Sequence, residues 1–161
     1  MRRPSMILAV LILATSVIGC TITSTIKLYD GPSKDESQIA LLYVDPHVVV
    51  TRIDSTTEHP TDKGRALAHS AGKRREIVAI NPGPHELTAR FFVLCLQSNE
   101  NIPLKFNAEP GKKYRLKSEV DLNNRRWLPS IVAHDGSIVE DTFPWMQAMC
   151  PANVQIMRLG K

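Results

Sequence analysis

Two Pro-Gly turns constrain this chain more than any other feature. Asn81-Pro82-Gly83-Pro84 and Glu109-Pro110-Gly111-Lys112 each sit between runs with strand character, "EIVAI" with "HELTARFFVLCL" and "IPLKFNA" with "KKYRLKSEV". Proline second and glycine third in a four-residue turn is the type II pattern, because proline presets one φ and glycine accepts the positive one. Type II turns fit the twist of a tight two-residue hairpin poorly. Strands joined this way are therefore expected to pass between sheets as well as to pair.

Alternation supports the strands independently. Leu104, Phe106 and Ala108 share one face and Lys105, Asn107 and Glu109 the other, while Tyr114, Leu116, Ser118 and Val120 oppose Lys113, Arg115, Lys117 and Glu119. One face is buried and one is wet. Residues 39–44 and 48–53 are Val- and Ile-rich runs separated by Asp45-Pro46, which fits two strands. Residues 91–96 are apolar on both faces, as in a strand covered on each side. Residues 54–75 are polar and predict a surface excursion with a short helix at 64–70. His134-Asp135-Gly136 predicts a last hairpin between strands at 126–133 and 137–140. No segment beyond the N-terminus carries a long helical period. The expectation is an all-β fold, a small immunoglobulin-like β-sandwich of seven or eight strands.

The N-terminus has a different character. Arg2 and Arg3 precede an apolar stretch of about 13 residues, which as a helix covers about 20 Å of a hydrocarbon core about 30 Å thick. Such a layout is that of a cleaved secretory signal and is too short to span. It ends in Val17-Ile18-Gly19-Cys20. This ending resembles the lipobox of bacterial lipoproteins, in which the cysteine thiol receives a diacylglyceryl group and the signal is cut just before it. The resemblance implies membrane attachment through acylated Cys20, and Thr21, in place of the Asp that favours inner-membrane retention, implies the outer membrane facing the periplasm. Two or three acyl chains on one residue hold a protein on a bilayer almost permanently, since each buried methylene contributes about 0.8 kcal/mol. The expected organisation is a signal peptide at 1–19, a lipidated tether at 20–27, the sandwich at 28–141 and a C-terminal tail at 142–161 packed on the domain.

"LYDGP", "IALL", "RID", "NPGPHELTARF", "AEPGKKYRL" and "RWLPSIVAHDGSIV" occur in an order that resembles a set of small proteobacterial lipoproteins of unknown function. These show a Tyr-x-Gly-Pro start, a Pro-Gly-x-His turn and a Gly-x-x-Tyr strand. The resemblance implies a lipid-anchored sandwich and supplies no reaction.

Composition narrows the function. The chain has 20 Lys and Arg against 16 Asp and Glu, and Arg2 and Arg3 leave with the signal, so the formal excess falls from four to two. A nucleic-acid binder carries a stronger and more clustered excess. Cys95 and Cys150 remain as an even pair, which in an oxidising compartment predicts a disulfide worth about 4 kcal/mol on the chain-entropy model. The alternative treats Cys95 as a small buried hydrophobe. No Gly-x-Ser-x-Gly elbow, phosphate loop or His-Glu-x-x-His is present, so no catalytic residue and no cofactor is expected. His47, His59, His69, His85 and His134 lack zinc spacing and read as structural. Met146, Met149 and Cys150 offer soft ligands, an alternative Cu(I) site if Cys150 is not bridged. Lys105, Lys113, Arg115 and Lys117 are candidates for one basic sheet face, joined by Arg74, Arg75, Arg125 and Arg126, that attracts lipid phosphates or anionic envelope polymers. The expected role is non-enzymatic contact with another envelope protein or a cell-wall component, with no nucleic-acid partner.

Overall fold

The computed structural model describes residues 22–70, 74–93, 95–140 and 157–160. In chain order the strands are β1 (Ile22–Lys27), β2 (Ala40–Val44), β3 (Val48–Ile53), β4 (Glu58–His59), β5 (Asp62–Ala66), β6 (Ala68–His69), β7 (Arg74–Ile80), β8 (Gly83–Val93), β9 (Leu96–Ser98), β10 (Ile102–Ala108), β11 (Lys113–Lys117), β12 (Val120–Asp121), β13 (Arg126–Trp127), β14 (Ser130–Ala133) and β15 (Met157–Leu159). One 3₁₀ turn, Glu36–Gln38, is the only helical element among the described residues.

The strands form an all-β sandwich, as the alternation predicts. A five-stranded sheet runs β1-β7-β2-β11-β14. A six-stranded sheet runs β15-β9-β8-β3-β6, with β10 also paired to β8. Both Pro-Gly turns carry the chain across: β7 lies in the first sheet and β8 in the second, β10 in the second and β11 in the first. At the second turn Gly111 has φ +72° and the Lys112 N–H donates to the Glu109 carbonyl at 3.2 Å, the type II geometry expected there. The Asp45-Pro46 break likewise sends β2 of the first sheet into β3 of the second, through His47 at φ +67°.

Inner faces of the two sheets share one core. Leu42, Val44, Val78, Ile80 and Leu116 from the first sheet meet Val48, Val50, Leu87, Phe91 and Leu159 from the second. Trp127 is fully buried among them, its ring 6.1 Å from that of Phe91. The outer face of the first sheet is also covered: Ile39, Leu41, Ile77 and Ala79 form a second buried cluster under Tyr29 and Tyr43.

Several expectations are corrected. Residues 22–27, read as tether, are strand β1, which pairs in parallel with β7 from Ile22↔Arg74 to Lys27↔Ala79. Alternating β-branched residues with a buried Ile26 explain it, since the inner side of this edge strand needs only one large apolar anchor. The excursion at 54–75 holds β4, β5 and β6 and no helix at 64–70; Leu67 and Ala68 are apolar enough to enter the core beside β3. The strand covered on both faces is β7, whereas 91–96 folds into the β8–β9 hairpin and leaves Phe92 44% exposed. Gly136 takes φ +92° and the Ser137 N–H donates to Asp135 Oδ1 at 2.8 Å, but residues 137–140 make no hairpin with β14. They cross the first sheet's outer face, where the Arg75 Nε donates to the Val139 carbonyl at 2.6 Å and Val139 is buried. The tail expected at 142–161 ends in β15, which pairs in parallel with β9; residues 142–156 lie outside the described residues.

Phe91→Ala is expected to destabilise the domain by about 3–5 kcal/mol. The neighbouring Phe92→Ala is expected to cost only about 0.5 kcal/mol, as for a surface position. Urea unfolding followed by tryptophan fluorescence compares the two.

Candidate functional site

Where the chain changes sheet, backbone groups leave the ladder and need other partners. At the β2–β3 corner that need is met by Asp45, which is buried. Its Oδ1 accepts from Arg115 Nε at 2.5 Å, and its Oδ2 accepts from Arg115 Nη2 at 3.1 Å and from the Ser118 N–H at 2.9 Å. Ser118 Oγ in turn accepts from Trp127 Nε1 at 2.9 Å. One carboxylate thus ties the corner to β11 and, through Ser118, to the core tryptophan. A buried charge with a bidentate cation and a backbone donor has its desolvation offset; without them it is strongly destabilising.

Glu76, buried at the start of β7, repeats the device. Its Oε1 takes Arg74 Nε at 2.9 Å and Arg65 Nη2, and its Oε2 accepts from the His69 N–H at 2.5 Å. The Glu76 N–H donates to Ser70 Oγ at 2.9 Å. Burial holds the His69 imidazole below the usual histidine range, against the pull of the Glu76 carboxylate. Ser24, the strand partner of Glu76 on β1, has its hydroxyl buried without a hydrogen bond.

The third cluster pins the β7–β8 corner. His85 Nδ1 lies 2.7 Å from Asp54 Oδ2 and Nε2 lies 2.8 Å from the Asn81 carbonyl oxygen. Asp54, at φ +50°, also accepts the Glu86 N–H at 3.0 Å. An Asp–His pair orients a catalytic base only when its far nitrogen faces a hydroxyl or thiol. Here that nitrogen faces a carbonyl, so the pair fastens the turn to the end of β3. Burial raises the Asp54 carboxyl, but the Glu86 N–H and His85 outweigh it and hold it below the ordinary value.

The four candidate basic residues are not one face. Lys105 is on β10 in the six-stranded sheet, whereas Lys113, Arg115 and Lys117 are on β11 in the five-stranded one. Alternation assigns a side of a strand but not the sheet that the strand joins. Each also has a carboxylate: Lys105 with Glu86 at 3.6 Å, Lys113 with Glu36 at 3.6 Å, Lys117 with Glu119 at 3.4 Å, and Arg115 with Asp45. Arg74 is on Glu76, Arg75 is buried beneath Val139, and Arg125 and Arg126 sit at the β13 turn. Cys95 is half-buried and disulfide-bonded. Cys20, Met146, Met149 and Cys150 lie outside the described residues. Among the described residues no three His, Cys, Asp or Glu gather around a position for a metal ion. Asp45, Glu76 and Asp54 escaped the sequence reading; their signal is a single charge set against a fully apolar strand, as in "YVDPHVVV" and "EIVAI".

Comparison of the chain with protein-family models, with curated proteins and with solved structures gives no significant match.

Asp45→Ala is expected to cost about 3–5 kcal/mol, because it leaves Arg115 and the Ser118 N–H without their partner. Arg52→Ala, which removes the half-exposed pair with Glu86, is expected to cost about 0–1 kcal/mol in the same unfolding assay. The depressed Asp54 carboxyl stabilises the fold above its unfolded value and loses that contribution as pH falls through its folded value. The stability difference between wild type and Asp54→Asn should therefore be largest near neutral pH and shrink below about pH 4, read from urea midpoints across that range.

Proposed function

We propose that the chain is a lipid-anchored bacterial cell-envelope protein, held through acylated Cys20 and acting by contact with another envelope protein or a cell-wall component. The observation that carries this reading is the coincidence of a basic start, a short apolar stretch and Gly19-Cys20, followed after Thr21 alone by the first strand of a folded domain. A thiol at that place is an attachment point, and the structured body begins almost on top of it. The disulfide at Cys95 supports the same compartment, since such bonds persist where thiols are not kept reduced.

We assign Cys150 as the partner of Cys95. Support comes from β15, whose Met157 is the strand partner of Leu96, so the chain returns beside Cys95 within seven residues of Cys150. With that thiol bridged, a Cu(I) site at Met146, Met149 and Cys150 loses its strongest ligand. The role is non-enzymatic: Asp45, Glu76 and His85, the polar groups best placed to react, are committed to holding corners. The place is the outer membrane, facing the periplasm.

Cys20→Ser tests the anchor in intact cells. The wild-type chain should fractionate with membranes and carry acyl mass on its first residue, and the variant should do neither. A variant that stays membrane-bound at the wild-type level, with no acyl mass on either protein, contradicts the reading.

A further inference from the structure

We infer that the end of the sandwich at which β1 begins is a docking surface for the anionic phospholipid headgroups of the membrane. The inference rests on the anchoring reading above and adds an orientation to it. Two residues of extended chain reach about 7 Å, so acylated Cys20 cannot stand farther than that from Ile22 along the backbone. The strand neighbour of Ile22 is Arg74, one inter-strand spacing of about 5 Å away. Both therefore lie near the range, about 8 Å at physiological salt, over which the field of a charged bilayer acts.

Strand directions define what else stands at this end. β1 and β7 begin here in parallel; β2, antiparallel to β7, and β11, parallel to β2, finish here; β14 starts here. The Asp45–His47 corner closes the end and receives the Phe92 N–H on the His47 carbonyl at 2.9 Å. Three of the large apolar side chains that stay exposed belong to segments that reach this end: Ile22 at 65%, Phe92 at 44% and Leu128 at 38%. A soluble surface gains nothing from these, whereas a headgroup interface can cover them.

Charge points the same way. The carboxylates of Asp45 and Glu76 are buried on their cations, Glu119 is held by Lys117 at 3.4 Å, and Asp121 is turned onto Asn124 at 2.7 Å. The Arg74 side chain, on Glu76, is 45% exposed, and Arg125, three residues before Leu128, is exposed as well. The opposite end, where β1 and β7 finish and the 3₁₀ turn meets Gly111, carries Asp30, Asp35, Glu36, Glu109 and Asp135 together with Lys27, Lys34, Lys112 and Lys113, so its charges nearly balance. The end nearest Cys20 thus sets an exposed guanidinium, Arg74, beside an exposed apolar residue, Ile22, a pairing that suits an anionic headgroup.

The test uses the acylated mature chain purified from membranes and reconstituted into vesicles of phosphatidylglycerol with phosphatidylethanolamine, or of phosphatidylcholine alone. Amide hydrogen exchange at 22–27 and 126–130 should be slower on the phosphatidylglycerol vesicles by about fivefold, the factor that one cation near an anionic surface contributes. Arg74→Gln with Arg125→Gln should remove the difference, and Leu128→Asp, which leaves the Glu76 cluster intact, should reduce it. An acylated, vesicle-bound chain with equal exchange on both lipids, or a double variant that behaves as wild type, overturns the docking surface while leaving the anchor standing. A purified chain without acyl mass overturns both.

Discussion

The pairing of β1 with β7 is the constraint on which the architecture rests. β7 is buried on both faces, with Val78 and Ile80 in the shared core and Ile77 and Ala79 under the outer cluster. A strand so enclosed must have both edges filled, because an unpaired buried N–H or C=O costs as much as a lost hydrogen bond. β2 fills one edge in antiparallel and β1 fills the other in parallel. Once β1 is committed to that edge, only Thr21 separates Cys20, the proposed attachment point, from the folded body.

The same need for partners explains the buried charges. Asp45, Glu76 and Asp54 each stand where the chain leaves one sheet for the other, or beside such a place, and each accepts one backbone N–H and binds a side chain with a basic nitrogen. An apolar residue there would satisfy neither requirement, so the desolvation of a carboxylate is offset by groups that otherwise lack acceptors. These clusters resemble reactive sites in composition, yet their lone pairs and ring nitrogens are already engaged.

Sequence periodicity made much of this legible. The runs at 39–44, 48–53, 102–108 and 113–117 appear as strands, the last two with the expected inner faces, and the Pro-Gly turns stand where the chain crosses between sheets. Long-range choices were not legible. β1 has only one buried anchor in six residues, β15 pairs with a strand some sixty positions away, and residues 137–140 prefer a buried Val139 and the Arg75 guanidinium to a hairpin. The proposed basic face failed for a related reason: Lys105 and Lys113 flank a crossing turn and so end in different sheets.

β1 is part of the folded body directly behind the proposed anchor. Amide hydrogen exchange of the mature chain in detergent, resolved for β1 against β7, measures it. Protection of the β1 amides that approaches that of β7 is the predicted result. Exchange of β1 at the rate of an open chain, with β7 still protected, would contradict the account.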